Sequence, residues 1–249
     1  MLSLEITGLG ISMSYKLLTV SGNPKVVKGD KVSEYLTAIM HLRPENTRIC
    51  PFQDIAGCKV ACLNTAGRGG IIKKGETTNR IQEARKRKTD LYLNDKRLFM
   101  TTLIADLKRF ENYCIKKDKL PAVRLNGTSD IQWETIKIFA DDQTIFDMFP
   151  DIQFYDYTKI PTRKIEGIDN YHLTWSYSEA NDKYAEYINA IKYNVAVVFN
   201  GEPPIYFKGR EVINGDETDL RFLDKPNKIV ALKAKGKAKK DMGGFVIHT

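Results

Sequence analysis

Residues 195–199 run Val-Ala-Val-Val-Phe, an unbroken apolar stretch in which three of the five side chains are β-branched. A strand wetted on one face alternates apolar with polar side chains. An unbroken run instead marks a strand covered on both faces, as in a parallel sheet flanked by helices. Upstream, residues 178–192 have helical apolar spacing, and residues 171–176 (YHLTWS) read as the preceding strand. Further back, residues 152–158 (IQFYDYT) read as a strand, 133–149 as a helical pattern, and 122–125 as a short strand stopped by Asn126-Gly127. Residues 88–117 place Leu91, Leu98, Leu103, Ile104, Leu107 and Phe110 at helical spacing, and residues 34–42 (EYLTAIMHL) read as a strand bounded by Pro44. Downstream, residues 228–232 (KIVAL) supply a last strand. Strand and helix in alternation predict right-handed crossovers, a parallel sheet and an α/β fold of the partial (βα)6 barrel type. Residues 34–236 form that domain; 1–33 form an N-terminal extension with a short extended piece at 15–20, and 237–249 form a basic tail.

A chain of 249 residues with 42% hydrophobic content buries a substantial core without disulfide staples. Its four cysteines are too few for a small secreted disulfide scaffold. The opening MLSLEITGLGISMSYKLL lacks a basic segment followed by an unbroken apolar one, so no secretion signal is expected, and no apolar run is long enough to span a membrane. The expected compartment is a reducing cytoplasm, where clustered cysteines bind metal or carry redox chemistry.

The net charge of +8 is concentrated in two stretches. Residues 68–88 hold Arg68, Lys73, Lys74, Arg80, Arg85, Lys86, Arg87 and Lys88 against Glu76 and Glu83, and residues 225–241 hold seven lysines against Asp241. The plain expectation is a solvated helix face and a frayed tail. The functional one is a surface for phosphates, with Arg68, Lys73, Lys74, Arg80, Arg85 and Arg87 as candidate nucleic-acid contacts and abundant tyrosines for stacking on bases.

Three of the four cysteines fall within CPFQDIAGCKVAC, residues 50–62. Seven residues separate Cys50 from Cys58 and three separate Cys58 from Cys62. If residues 59–64 begin a helix, Cys58 and Cys62 share one face, and the loop containing Pro51 and Gly57 folds Cys50 back toward them. Soft thiolates select iron–sulfur clusters, zinc or cuprous copper. Three thiolates without a nearby fourth ligand suit a cubane cluster with one open iron, whereas structural zinc wants four protein ligands. His41 and Cys114 are the candidates for a fourth, neither at a customary spacing, and Cys114 reads as a small core residue.

Other motifs exclude more than they suggest. Gly67-Arg68-Gly69-Gly70 is neither a Walker loop nor a dinucleotide fingerprint. Residues 214–221 lack the ligand register of an EF-hand. His41, His172 and His248 have no serine or carboxylate at a diagnostic spacing, and the His-x-Glu with Pro-Cys-x-x-Cys pattern of zinc deaminases is absent. Polar residues do gather where strands end: Asn126, Ser129 and Asp130; Asp156, Thr158 and Lys159; Ser176 and Glu179; Asn200 and Glu202. Ligands of parallel α/β folds sit beyond the carboxyl ends of strands.

This order of parts resembles the core of radical S-adenosylmethionine enzymes. It also resembles the iron–sulfur-like proteins of tailed bacteriophages called gene-product-eighty-eight-like. The shared features are CPFQDIAGCKVACLNTAGRGG, NRIQEARKRKTDLYL, RLNGTSD, FYDYTK, LTWSYSE and INGDETDLRFLD. The resemblance implies a radical-SAM-like partial barrel and a 4Fe–4S cluster held by Cys50, Cys58 and Cys62, with the methionine part of S-adenosylmethionine on the open iron. Asn126-Gly127-Thr128-Ser129-Asp130 stands where those enzymes carry a glycine-rich motif, and Asp130, Asp156, Lys159, Ser176 and Glu179 are the pocket-lining candidates. The radical SAM cysteine spacing is three then two, and an aromatic often precedes its last cysteine, where Ala61 stands here. Lys59 and Arg68, close in sequence to the cysteines, are candidates for raising a cluster potential. The expected function is an iron–sulfur protein of the host cytoplasm, in its catalytic form a radical SAM enzyme. The alternative is a nucleic-acid-binding protein stabilised by zinc or by a structural cluster.

Overall fold

The computed structural model describes residues 16–20, 22, 24–138 and 142–249. Most of the N-terminal opening, with Tyr15 of the expected extended piece, lies outside them. The strands are β1 (Leu18–Val20), β2 (Tyr35–Met40), β3 (Leu120–Arg124), β4 (Gln153–Thr158), β5 (Tyr171–Ser176), β6 (Val195–Asn200), β7 (Tyr206–Phe207), β8 (Arg210–Asn214), β9 (Ile229–Lys233) and β10 (Val246–His248). The helices are α1 (Pro24–Val32), α2 (Arg80–Asn94), α3 (Lys96–Lys116), α4 (Ile145–Met148) and α5 (Asp182–Asn189).

All ten strands join one sheet in the order β1-β2-β3-β4-β5-β6-β9-β8-β7, with β10 on β6. The six strands expected from sequence are its parallel centre, β2-β3-β4-β5-β6-β9. The sheet is open: β1 is antiparallel to β2 at one edge and β7 antiparallel to β8 at the other. A (βα)6 repeat does not describe the connections. The β4–β5 crossover carries no helix, and the β6–β9 crossover carries the β7–β8 hairpin. β5 pairs with the beginning of β6 and β10 with its end, so the two share one flank of that strand in succession.

Local differences from the expected elements have identifiable causes. The helical run 88–117 is two helices, because Asp95 leaves the helical conformation and accepts the backbone N–H of Leu98 at 2.9 Å as an N-cap. The pattern at 133–149 yields one short turn at Trp133–Thr135 and the single-turn α4, whose Thr144 and Asp147 cap each other reciprocally. The expected helix start at 59–64 is absent: residues 51–61 form successive turns, and a 3₁₀ turn follows at Leu63–Thr65. α1 and β1 lie within the segment expected as an extension, and β10 within the expected basic tail.

Strand alternation divides the sheet's side chains between two faces. Ala38, Met40, Val123, Phe154, Leu173, Trp175, Val195, Val197 and Phe199 form one core with Phe99, Leu103, Leu107 and Phe110 of α3 and Tyr184 and Ile188 of α5. The opposite face holds a smaller apolar cluster of Ala122, Tyr155 and Leu220 against Tyr35 and Phe222. Phe99 is fully buried and stacks on Trp133 at 6.3 Å between ring centroids. Phe99→Ala is expected to cost about 3–5 kcal/mol of unfolding free energy, read as a lower midpoint in urea with an unchanged slope.

Candidate functional site

The loop after β2 that carries the cysteines is fastened to the carboxyl ends of neighbouring strands. Thr128 donates its hydroxyl to the Leu42 carbonyl at 2.6 Å, Asp130 its backbone N–H to the Ile49 carbonyl at 2.8 Å, and Ser178 its hydroxyl to the Ala56 carbonyl at 2.8 Å. Gly57 has φ +62°, and a Cβ there would stand 2.6 Å from that of Ala180. Only glycine gives both that conformation and that approach.

All four cysteines are free thiols. Cys50 and Cys58 are held above the ordinary thiol range, first by burial, while Lys159 works in the opposite direction on both. Cys62 and Asp130 also act on each of them, so the three thiols share one electrostatic neighbourhood. Burial disfavours the ammonium of Lys159, but Cys58, Asp130, Cys50 and Cys62 outweigh that and hold its pKa above the usual value. Arg85 of α2 lies on the Cys62 side; burial lowers its pKa and Cys62 opposes the effect. Cys62 accepts the backbone N–H of Asn64 on its sulfur at 3.4 Å. Among the described residues, no group of three or more His, Cys, Asp and Glu side chains is arranged to hold a metal ion. Cys114 lies apart, buried on α3, with Asp30 and Glu111 as its charged neighbours.

Six of the expected pocket residues sit together behind the thiols. Asn126 is the hub: its side-chain oxygen accepts from Ser129, the Ile131 backbone and Trp133 Nε1, and its amide donates to the Ile131 carbonyl and Asp156. Asp156 also accepts the Asn126 backbone N–H at 2.7 Å and the Tyr171 hydroxyl at 3.0 Å. Asp130 accepts the Lys159 backbone N–H at 2.7 Å and stands 3.4 Å from Arg163, which also forks onto Glu134 and donates to Tyr171. Gly127 brings its backbone N–H to the Met40 carbonyl at 2.9 Å. Ser176 and Glu179 do not join them. The Ser176 carbonyl takes the Tyr184 hydroxyl, and half-exposed Glu179 accepts from Tyr177 and pairs with Lys208. Lys59 points outward to Asp54 and Arg68 is exposed, so the cations at the thiols are Lys159 and Arg85 instead. Glu134, Arg163 and Tyr171 carry no motif, and their charge and burial become apparent only from the packing.

The basic stretch is divided in its roles. Arg85 holds Asn64, Lys86 pairs with Asp90, and Lys88 donates to the Leu17 carbonyl. Arg68, Lys73, Lys74, Arg80 and Arg87 remain exposed. An open groove of about 600 Å³ follows the start of α2, and its lining sets Arg80 and Arg87 against Glu76 and Glu83. No described helix is long and apolar enough to cross a membrane.

A family model described as Gene product 88 matches residues 15–249, from β1 through the cysteine loop to β10. The chain belongs to the Gene product 88 family. No curated protein and no solved structure matches it. The phage gene-product resemblance of the sequence motifs is thus borne out at the level of this family, whose matched region holds the entire thiol-lined site.

Two outcomes test this geometry. A Cβ at Gly127 would meet the Met40 carbonyl oxygen at 2.5 Å and Ile39 Cγ2 at 2.6 Å. Gly127→Ala is therefore expected to destabilise by about 1–3 kcal/mol in equilibrium unfolding. Burial raises the Asp156 carboxyl from 3.8 to about 7, with Arg124, the Asn126 N–H, Arg163 and Tyr171 pulling back. Between those values the folded chain keeps a proton that the unfolded chain releases, so this group's contribution to stability falls as pH rises toward 7. Urea titrations at pH 5 and pH 8 are expected to show a larger loss for the wild type than for Asp156→Asn; equal losses exclude this role.

Proposed function

We propose that the chain is an iron–sulfur protein in which Cys50, Cys58 and Cys62 hold a 4Fe–4S cluster at the carboxyl end of the parallel sheet. The observation that carries this reading is the gathering of three free thiols around the ammonium of Lys159. Buried neutral thiols are poor nucleophiles. Cys50 and Cys58 are both held protonated by burial, so their best-supported use is as ligands that lose their protons when metal binds. Ligation of a single ion requires close convergence of the sulfurs, which the described residues do not offer. A cubane spreads its thiolates over separate irons, so loosely grouped thiols fit it better than they fit zinc. Such a cluster supplies one-electron redox chemistry. The protein's own part is to fix the loop through Asp130 and Ser178, to bury Cys58 while leaving Cys50 and Cys62 partly shielded, and to set Lys159 and Arg85 beside their negative charge.

S-adenosylmethionine fits less well. At the place comparable to its amine site, Asn126, Ser129, Asp130 and Asp156 are spent on one another and on Arg163 and Lys159. Among the described residues, no free carboxylate is left there for a ligand ammonium. Free thiols suit a reducing cytoplasm. The exposed cations Arg68, Lys73, Lys74, Arg80 and Arg87 keep nucleic acid as a second, weaker reading, since Glu76 and Glu83 interrupt the patch.

Protein expressed with iron and sulfide and purified without oxygen is expected to be brown, with about four irons and four sulfides per chain. Alanine at Cys50, Cys58 or Cys62 abolishes the visible absorbance, while Cys114→Ala keeps it. A colourless protein with stoichiometric zinc rejects the proposal.

A further inference from the structure

The sheet face opposite the main core carries a second polar cluster, separate from the thiol site. Strand alternation places Arg124 of β3, Tyr155 and Tyr157 of β4, and His172 and Thr174 of β5 on this face. Tyr157 lies directly beside Thr174, and Tyr155 beside His172, on adjacent parallel strands. The Arg124 guanidinium carbon stands 4.6 Å from the centre of the Tyr157 ring. Residues 215–224 cross over this face, with Phe222 packed on Tyr35 and Tyr155 at 4.9 and 5.4 Å between ring centroids. This crossing inserts Arg221, only 1% exposed, whose charge acts on both His172 and Tyr157.

The hydrogen-bonding capacity of the cluster is unmet. Arg221 Nη1 and Asp224 Oδ2 make no hydrogen bond but face each other at 3.2 Å, whereas Arg124 Nε, Arg221 Nε, the Tyr157 hydroxyl, His172 Nε2 and the Thr174 hydroxyl are buried without a hydrogen-bond partner among the described residues, and Thr174 is fully buried. Buried polar atoms are seldom left so, and five on one surface share a common need. Each is a donor or can be one, His172 in its Nε2–H tautomer. The two guanidinium groups each stand against a single carboxylate, Arg124 3.1 Å from Asp219 and Arg221 3.2 Å from Asp224. Burial raises the pKa of Asp224. Guanidinium groups with hydroxyl donors beside them match an anion with several oxygens.

We propose that Arg124, Arg221, Tyr157, His172 and Thr174 form a binding site for a phosphoryl oxyanion, either inorganic phosphate or the terminal phosphate of a small molecule, beneath residues 215–224. The site is independent of the cysteines and goes beyond the iron–sulfur reading.

Thermal unfolding of the full chain at constant ionic strength, with sodium chloride replaced by inorganic phosphate or by AMP, tests it. Inorganic phosphate is expected to raise the wild-type midpoint by roughly 5–10 °C at a hundredfold excess over Kd. A shift with phosphate alone assigns a free ion; a shift with AMP as well assigns a phosphoryl terminus. Tyr157→Phe and Thr174→Val leave the ion pairs intact and are expected to weaken binding about tenfold each. In anion-free buffer their midpoints equal or exceed that of the wild type, because an unpartnered buried hydroxyl costs stability. No shift with either anion, as bridging water alone would give, overturns the proposal, and so does full retention of affinity in both variants.

Discussion

Burying a carboxylate at the carboxyl end of a parallel sheet is costly unless cations and N–H donors surround it, and the arrangement here follows from how Asp130 meets that cost. Its carboxylate takes the Lys159 N–H and faces Arg163, while its own backbone N–H holds the carbonyl of Ile49, next to Cys50. One residue thus joins the end of β3, the end of β4 and the cysteine loop. The remaining demand passes outward: Arg163 is completed by Glu134 and Tyr171, Tyr171 by Asp156, and Asp156 by Asn126. The network therefore serves to position the loop, and its members are poorly placed to bind a ligand as well.

The strand order explains why the molecule has two distinct polar regions. Five parallel neighbours follow one another in chain order from β2 to β6, so their connecting segments gather over one face, where the main core with α3 and α5 lies. Among the described residues, the other face is left to α1 and residues 215–224. The apolar residues there are few, and Arg124, Tyr157, His172 and Thr174 are consequently enclosed by a loop rather than by a helix. The thiol site belongs to the strand ends, and the cationic cluster to the middle of the strands on the opposite side.

The parallel centre was legible because burial on two faces writes itself into composition, as 195–199 and 171–176 show. The hairpin of β7 and β8 was not. Its turn is Lys208-Gly209 with φ of 49° and 76°, a conformation that Asn-Gly or Asp-Gly would have announced but Lys-Gly does not. β10 is three residues long and depends on pairing with β6 for its existence. At the site, the cysteines and the strand-end residues around Asn126 could be picked out by type and position, whereas the helical spacing expected for Cys58 and Cys62 gave way to turns set by Gly57. Ser176 and Glu179 were chosen by the same strand-end rule as Asp130 but look elsewhere, because the rule locates an end of a strand and says nothing of side-chain direction.

Charge also explains why Lys159, and not the nearer Lys59, matters to the thiols. Lys59 follows Cys58 immediately, yet its ammonium lies in solvent on Asp54, where water screens it. Lys159 is about a hundred residues away in sequence, but it leaves the end of β4 beside Asp130, where that carboxylate and the sulfurs are the charges that act on it. An ammonium held there is favoured by the Asp130 carboxylate and by negative charge on the sulfurs. In the proposed cluster, Lys159 would offset part of the cost that burial places on the thiolates of Cys50 and Cys58. That offset, more than the spacing of the cysteines, favours the proposed ligand role over three small side chains packed by coincidence.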